Sequence, residues 1–317
     1  MNEFKAVINK IKDFKNRQHN QEEEDEISKI LLDLREKFVR IGDQEKAKEV
    51  WRLNTIKLIQ RYYINAFKCM KRKQFYEGWC YLELAEKHLE YLSEHFNIDE
   101  QGDSFFLTFI KKQVKKFQDI YPKYIFHSTG INVKTSRCNI CGEIITPRNH
   151  CSHELREIYD GIRCVRIPQD FELDHDKITS YPHWKYRVIF DQNEETGELI
   201  DNYDYSVIDY LIEILPSPYD EWNYRWEKKL IPHSEFKNFS VDDKCPCRSG
   251  KKYKECCLEK EGILMPFIFF GDFKPLKKPL TVNRYPTKPE SPKIEEIRKI
   301  PFVYKSIIVK AELFYID

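Results

Sequence analysis

The sequence predicts an α+β protein with an N-terminal helical bundle or short helical array, followed by a smaller mixed α+β region. Two observations support this fold class. Apolar residues recur at helical spacing as far as about residue 125, for example at Ile27, Leu31 and Leu34. Beyond that point the pattern changes, and residues 185–190 alternate as they would along a strand.

Five helices are expected in the N-terminal region, because apolar residues recur there every three or four positions. The second follows the acidic stretch QEEEDE, which suits the positive end of a helix dipole. Gly42 and Asp43 then form a break, since Gly commonly ends a helix and Asp commonly caps the next one. The last three helices are expected at about 44–71, 74–96 and 103–120. Together they predict a helical domain over residues 1–125.

The region after Pro122 predicts a small α+β domain over residues 126–236. A strand is expected at 185–190, a turn at 191–198 and a short helix at 205–215. The mixture of short elements distinguishes this region from the helical domain before it.

Proline dominates a predicted arm at 263–317, which follows a compact cysteine-rich knob at 237–262. Seven of the 15 prolines lie within residues 266–301, with lysines between them. Proline removes amide donors and stiffens the chain, so we expect a linker or an arm along the surface. The last residues, FVYKSIIVKAELFYI, are rich in β-branched and aromatic types and predict a terminal strand.

The nearly balanced composition gives the chain no overall charge that would attract nucleic acid or an acidic partner. Lys and Arg number 53 against 52 Asp and Glu, a formal net charge of +1, so only local clusters could attract nucleic acid. The longest uncharged apolar run, near residues 263–270, is far shorter than the roughly 20 residues that span a bilayer. The N-terminus lacks the apolar stretch of a signal peptide. We therefore expect a cytoplasmic protein without a membrane span.

Four of the 10 cysteines lie close together near the C-terminal end of the chain. Cys245 and Cys247 are two positions apart, and Cys256 and Cys257 are adjacent. Disulfides are rare in a reducing cytosol, so such grouping favours a metal site. Four thiolates suit the tetrahedral coordination of Zn²⁺, and the lysines nearby would offset their negative charge. The sequence therefore predicts a structural zinc site here.

The segment DDKCPCRSGKKYKECC, residues 242–257, resembles the SEC-C motif, a small zinc-binding module first known at the C-terminus of the bacterial translocase ATPase SecA. Two positions depart from the usual pattern: Arg248 stands where the family usually has Gly, and Lys244 where it usually has Pro. The resemblance implies four zinc ligands: Cys245, Cys247, Cys256 and Cys257.

The same resemblance implies a partner-binding face. In SecA-like proteins the module contacts a chaperone partner and the ribosome through basic residues. The corresponding residues here are Arg248, Lys251, Lys252 and Lys254. The module is also appended to many unrelated bacterial proteins. It therefore indicates a bacterial protein and a metal site, but it does not indicate an activity.

A second cysteine group lies further towards the N-terminus. It begins with a Cys-x-x-Cys-Gly turn, in which Gly142 lets backbone amides point at sulfur. Cys164 and His150 are alternatives that could replace a member of this group. Together with Tyr159 and Gly161, the stretch resembles a cysteine-rich pattern of bacterial proteins, some of which carry SEC-C modules. The predicted ligands of this second structural zinc site are Cys138, Cys141, Cys151 and His153.

Both predicted sites have four protein ligands, whereas a catalytic zinc needs an open position. We therefore expect a zinc-binding interaction or adaptor protein, and binding is favoured over catalysis. The SEC-C-like knob would dock on a protein or ribonucleoprotein partner.

Two other functions are compatible with the sequence. A nucleic-acid-associated protein, in stress response or phage defence, would use basic clusters at 71–73 and 111–116, and ribosome or nucleic-acid binding would weaken as salt rises. An enzyme would need an active site assembled within 126–236, where no nucleophile–base pair or phosphate loop is recognisable.

Overall fold

The structure is a computed structural model that describes residues 2–247 and 249–271. It confirms the α+β class, since the described residues form seven α-helices and small antiparallel sheets. The predicted terminal strand and nearly all of the predicted arm lie outside the described residues. The finer division into four domains stays a prediction.

The described chain separates into two compact units. Unit 1 comprises residues 2–118 and 125–189, and unit 2 comprises residues 119–124 together with the described part of 190–271. No helix among these residues combines the length and the apolar character that crossing a membrane would require.

Six helices form the N-terminal region, and their boundaries follow local capping signals. The Asn20 side chain accepts a hydrogen bond from the Glu23 amide at 2.9 Å at the start of the second helix. The break at Gly42 is confirmed, since its φ is +72° and the Asp43 carboxylate accepts from the Lys46 amide at 3.1 Å. The helices are α1 (Asn2–Lys12), α2 (Gln21–Arg40), α3 (Gln44–Lys71), α4 (Phe75–Ser93), α5 (Ile98–Gln101) and α6 (Leu107–Ile120).

The third helix, α3, has the bounds that the sequence predicts and is buried around most of its circumference. Sixteen of its 28 residues are buried, far more than one apolar stripe would provide. It packs against α1, α2 and α4. The last helix, α6, begins four residues later than predicted, because residues 102–105 form a 3₁₀ turn and Phe106 adopts a left-handed φ of +61°.

A network of buried polar side chains attaches the segment that connects α1 with α2 to the helix α3. Arg17 donates from Nη1 to Gln60 Oε1 at 2.9 Å and from Nη2 to Glu24 Oε1. Gln60, which is fully buried, donates in turn to the carbonyls of Ile11 at 3.1 Å and Phe105 at 3.0 Å. Buried polar groups are costly unless they are hydrogen-bonded, so this network restricts how the helices can pack.

The network also perturbs the carboxyl of Glu24. Burial alone would raise the pKa of Glu24, but hydrogen bonding to His19 and the positive charges of Arg17 and Lys57 outweigh it and hold that pKa below its ordinary value. Glu24 is therefore ionised inside the helical core, and its charge is balanced by Arg17.

Two long strands of unit 1 form an antiparallel ribbon, which the sequence analysis did not predict. Strands β1 and β5 pair from Phe126↔Thr179 to Cys138↔Arg166, while β2 pairs only with Ser136 and Arg137. The strands of unit 1 are β1 (Phe126–Cys138), β2 (Ile144–Ile145), β3 (Ile158–Tyr159), β4 (Ile162–Arg163) and β5 (Arg166–Thr179).

The strand predicted at 185–190 is wrong. At one end of the segment, side chains of α4 bond its backbone: Trp79 donates to the Lys185 carbonyl at 2.7 Å, and Glu83 accepts from the Lys185 amide. Only Val188 forms a bridge, with Phe126. The alternating pattern of residues 185–190 therefore belongs to a segment that packs against α4.

Unit 2 contains one complete α-helix and two antiparallel pairs of strands. The predicted turn at 191–198 links two brief strands, and the predicted helix at 205–215 is present. Residues 263–270, which the sequence analysis placed in the arm, pair along their whole length with the strand before the cysteines. The elements are β6 (Asp191–Gln192), β7 (Leu199–Ile200), α7 (Ser206–Ile214), β8 (Tyr224–Ile231) and β9 (Ile263–Phe270).

We predict that Glu24→Gln destabilises the protein by about 3 kcal/mol, because it removes the buried carboxylate closest to Arg17 and leaves Glu23, at 3.6 Å, as its counter-charge. Urea unfolding followed by circular dichroism would measure the change. Glu26→Gln is the matched control: Glu26 pairs with Lys10 at the surface, where such a pair contributes less than about 1 kcal/mol. Equal effects of the two substitutions would contradict this role of the network.

We predict a pH-dependent contribution from Glu83. Burial raises the pKa of Glu83 from 4.5 to about 7, although the amides of Lys185 and Tyr186 oppose the shift. Between these two values the folded protein holds a proton that the unfolded chain has released, so this contribution to stability falls as pH rises. Glu83→Gln should therefore gain stability relative to the wild type between pH 5 and pH 7, by on the order of 1–3 kcal/mol.

Urea titrations of both proteins at several pH values would measure this difference. Glu90→Gln, an exposed change on the same helix, should leave the pH dependence unaltered. A constant difference between Glu83→Gln and the wild type across this window would exclude the proposed titration.

Candidate metal centres

The cysteine group of unit 1 begins where β1 ends. Cys138 is the last residue of β1, and its amide donates to the Glu143 carbonyl at 3.0 Å. The Gly142 amide donates back to the Cys138 carbonyl at 2.9 Å, with a Gly142 φ of +78° that favours glycine. This tight reversal places Cys141 beside Cys138.

The loop between β2 and β3 brings the other two predicted ligands to the same place. The ligand atoms of Cys138, Cys141, Cys151 and His153 all lie within 4.8 Å of one another. Zinc–sulfur bonds of about 2.3 Å in a tetrahedron separate the sulfurs by about 3.8 Å, so the group matches the size of a zinc shell. Tyr159 packs edge-on against His153 with ring centroids 4.6 Å apart, and His153 Nδ1 is buried with no hydrogen-bond partner among the described residues. Such an atom suits a metal ligand.

The two alternative ligands lie differently. Cys164 is fully buried, with its Sγ 3.9 Å from that of Cys138, and it packs in a small core with Cys138 and Ile145. It is not among the four residues whose ligand atoms all lie within 4.8 Å of one another, and neither is the exposed His150. The geometry thus supports the four predicted ligands, whose assignment remains a prediction.

Arg166 contacts this group, and the sequence analysis missed it. Its Nη1 donates to Cys151 Sγ at 3.1 Å, and its Nη2 donates to the His153 carbonyl at 2.7 Å. Burial would raise the pKa of Cys151, but the Arg166 guanidinium and the backbone at His153 outweigh it and lower that pKa. One arginine therefore both favours the thiolate and fixes the loop that carries two ligands.

Cys138 is also prepared for ionisation. Burial raises its pKa, but hydrogen bonds from the backbone amides of Cys141 and Ile140 outweigh it and lower the pKa to about 7. A metal binds the thiolate form. A thiol with a lowered pKa therefore costs less free energy to deprotonate when the metal binds.

The cysteine group of unit 2 is built by a second short reversal. The Cys245 amide donates to the Lys251 carbonyl at 2.8 Å, and Gly250 has a φ of +81° between them. The amides of Cys256 and Cys257 both donate to the Tyr253 carbonyl after a 3₁₀ turn. These bonds hold Cys256 and Cys257 opposite Cys245 and Cys247.

The four sulfurs of this group lie at distances that suit one tetrahedral ion. All lie within 4.8 Å of one another, with Cys256 Sγ 3.5 Å from that of Cys247 and 3.7 Å from that of Cys257. Burial raises the pKa of Cys247, but the hydroxyl and amide of Ser249 outweigh it and lower the pKa to about 7. Burial raises the pKa of Cys245 well above its ordinary value.

The cysteines of unit 2 share a hydrophobic core with β9. Tyr253 lies in that core, and its hydroxyl hydrogen-bonds His233, whose Nε2 lies 2.7 Å from the Lys260 carbonyl. The group is thereby connected to both strands of the β8–β9 pair. The buried members of the core are Cys245, Tyr253, Cys257, Ile263, Met265 and Phe267.

The predicted partner-binding lysines surround this group at the surface. Lys251, Lys252 and Lys254 are exposed. Asp242 lies 2.7 Å from Lys254 Nζ and 3.6 Å from Lys252 Nζ, so Lys251 is the member without this counter-charge. Arg248 lies outside the described residues.

Residues 243–259 match the family described as SEC-C motif. The chain carries a SEC-C motif. The match covers the four clustered cysteines of unit 2 and confirms the resemblance seen in the sequence. Because SEC-C is a zinc-binding motif, it supports metal binding at this group, but it spans a small part of the chain. No curated protein and no solved structure matches the chain.

We predict that Arg166→Ala lowers zinc affinity at the unit 1 group by about 10–100-fold, as is typical when a group that orients a metal ligand is removed. Competition with a chromophoric chelator would measure the affinity. Arg166→Lys should fall between, since lysine keeps the charge and loses the bidentate contact. Arg148→Ala, an exposed change between the ligand pairs, should have no effect. Equal affinities for all four proteins would remove Arg166 from the site.

Proposed function

We propose that this protein is a zinc-binding interaction protein whose SEC-C motif docks on a protein or ribonucleoprotein partner. The observation that carries the proposal is the completeness of both ligand groups. Each assembles four protein ligand atoms within 4.8 Å. Four protein ligands fill a tetrahedral shell and leave no position for a substrate or a catalytic water.

Zinc is the metal that these donors fit best. One group offers four thiols and the other offers three thiols with an imidazole, and tetrahedral sulfur and nitrogen shells favour zinc over calcium or magnesium. A bound zinc ion would supply folding free energy and cross-link the two short segments that carry the ligands of each group. The residues themselves would supply the charge balance, through Arg166 in unit 1 and the lysines of the SEC-C motif in unit 2.

The docking surface in this proposal is the basic exterior of the SEC-C motif. Lys251, Lys252 and Lys254 stand on a segment whose backbone is fixed by the cysteines, so their positions are rigid relative to the metal group. Rigid presentation reduces the entropy that binding must overcome. Asp242 neutralises part of the charge, which favours a shaped partner surface over non-specific attraction to polyanions.

One observation favours the alternative, a nucleic-acid-associated function. On β8, Arg225 and Lys229 both lie over the partly buried ring of Phe269, at 5.1 and 4.5 Å from its centroid. Cations beside an accessible aromatic ring are typical of surfaces that bind single-stranded nucleic acid. This surface lies in unit 2 together with the SEC-C motif, so one ribonucleoprotein partner would be compatible with both functions.

We predict that the purified protein holds two zinc ions per chain and that Cys256→Ser with Cys257→Ser holds one. The double variant loses half of one shell, while the unit 1 group uses other residues. Native mass spectrometry would count the metal ions. Cys69→Ser with Cys80→Ser, which changes two cysteines outside both groups, is the matched control and should keep both ions. Two ions in the Cys256 variant would reject this ligand set.

A pull-down from native cytosol, with and without nuclease, tests the docking itself. Lys251→Glu with Lys252→Glu should keep its zinc and lose the partner, whereas Lys29→Glu with Lys37→Glu, on exposed positions of α2, should keep both. Recovery of a partner equally by all variants would contradict docking through the SEC-C motif. Recovery that depends on intact nucleic acid would favour the alternative.

A further inference from the structure

The β1–β5 ribbon of unit 1 is incomplete as a sheet. From residue 169 to residue 175, β5 pairs with β1 on one side and with no described strand on the other. Its residues there are exposed, and so are those at 131–134 of β1. A two-stranded ribbon is only marginally stable in water unless another strand or layer covers it.

One face of this ribbon is apolar. Ile131 is the cross-strand partner of Leu173, and Val133 is the partner of Phe171, so the four side chains share a face. All four are exposed, with 72% of Leu173 accessible. A contiguous exposed apolar patch on a soluble unit commonly marks an interaction site.

The other face of β5 is acidic. Asp170, Glu172 and Asp174 alternate with Phe171 and Leu173 along the strand. Glu172 pairs with Lys134, and Asp174 lies 2.8 Å from His175 Nδ1. Along residues 170–174 three carboxylates lie beside one lysine, Lys134, so this stretch has a net negative charge that repels phosphate and disfavours nucleic acid as its partner.

The same charges exclude pairing of β5 with a second copy of itself. In an antiparallel β5–β5 pair centred on Glu172, that residue would oppose its own copy and Asp170 would oppose Asp174. Like charges directly opposite one another destabilise a sheet, and a shift by one residue would move the apolar set to the acidic face. Acidic residues on an exposed edge are a known protection against such self-association.

We propose that the free edge of β5 accepts an extended peptide segment of a partner protein, by β-strand addition, and that this segment alternates basic with apolar residues. Backbone hydrogen bonds to β5 would supply affinity, as in other strand-addition complexes. The apolar residues would extend the patch of Leu173 and Phe171, and the basic residues would lie beside Asp170, Glu172 and Asp174. This surface uses none of the residues of the SEC-C motif.

A labelled peptide that alternates lysine with valine tests the proposal on the full chain. Fluorescence anisotropy should show saturable binding, and a peptide with glutamate in place of lysine should bind at least about tenfold more weakly, because its charges would oppose carboxylates. Glu172→Gln with Asp174→Asn should weaken binding of the lysine peptide by a similar factor. Glu194→Gln with Glu195→Gln, an equal change of charge on an exposed turn of unit 2, should leave it unchanged.

Hydrogen exchange locates the binding without depending on a substitution. Those amides of residues 169–175 that point away from β1 should exchange rapidly in the peptide-free protein and become protected when the lysine peptide binds, whereas the alternate amides already donate to β1. Cys256→Ser with Cys257→Ser should bind the peptide as the wild type does, which separates this result from docking through the SEC-C motif. Protection elsewhere, equal binding of both peptides, or outward-pointing amides of β5 that are already protected without peptide would each overturn the proposal. The last result would mean that another part of the chain covers β5.

Discussion

Burial of most of α3 is the constraint on which unit 1 depends. Gln60 is fully buried on this helix, so it must find partners within the protein, and it does so in the last turn of α1, in the connection before α2 and in the turn before α6. The Arg17–Glu24 pair extends this arrangement. Apolar packing alone would tolerate several positions of the surrounding helices, whereas directional bonds to one buried amide select one of them.

The two cysteine groups are built in similar ways. In each group, four side chains bring their ligand atoms within 4.8 Å of one another, without a core large enough to force them together. In both groups a glycine with positive φ reverses the chain, and backbone amides or a neighbouring hydroxyl lower the pKa of one thiol. The unit 1 group adds Arg166 from the first position of β5, which connects the ligands to the ribbon. Ligand spacing, local turns and charge balance thus point to the same chemistry at both places.

The sequence predicted those features whose causes lie close together along the chain. The α3 boundaries follow from a glycine and an aspartate at one end, and the SEC-C motif is contained in consecutive residues, so both could be recognised directly. The β1–β5 ribbon could not be located in this way, because its pairing joins distant residues and its middle, at 131–134 and 169–175, is exposed on both faces; the alternation in DFELD was its one local signal. Arg166 was missed since its contact with Cys151 depends on how β5 pairs with β1.

With zinc bound as we propose, the shared core of the SEC-C motif and β9 would couple the lifetime of the protein to metal supply. Cys245 and Cys257 pack directly with Ile263, Met265 and Phe267, so a chain that loses its ion also loosens the apolar side of a strand. Exposed apolar strands are what chaperones and proteases recognise in damaged proteins. Under zinc starvation, the abundance of this protein would then fall through turnover of the metal-free chain, without any change in its synthesis.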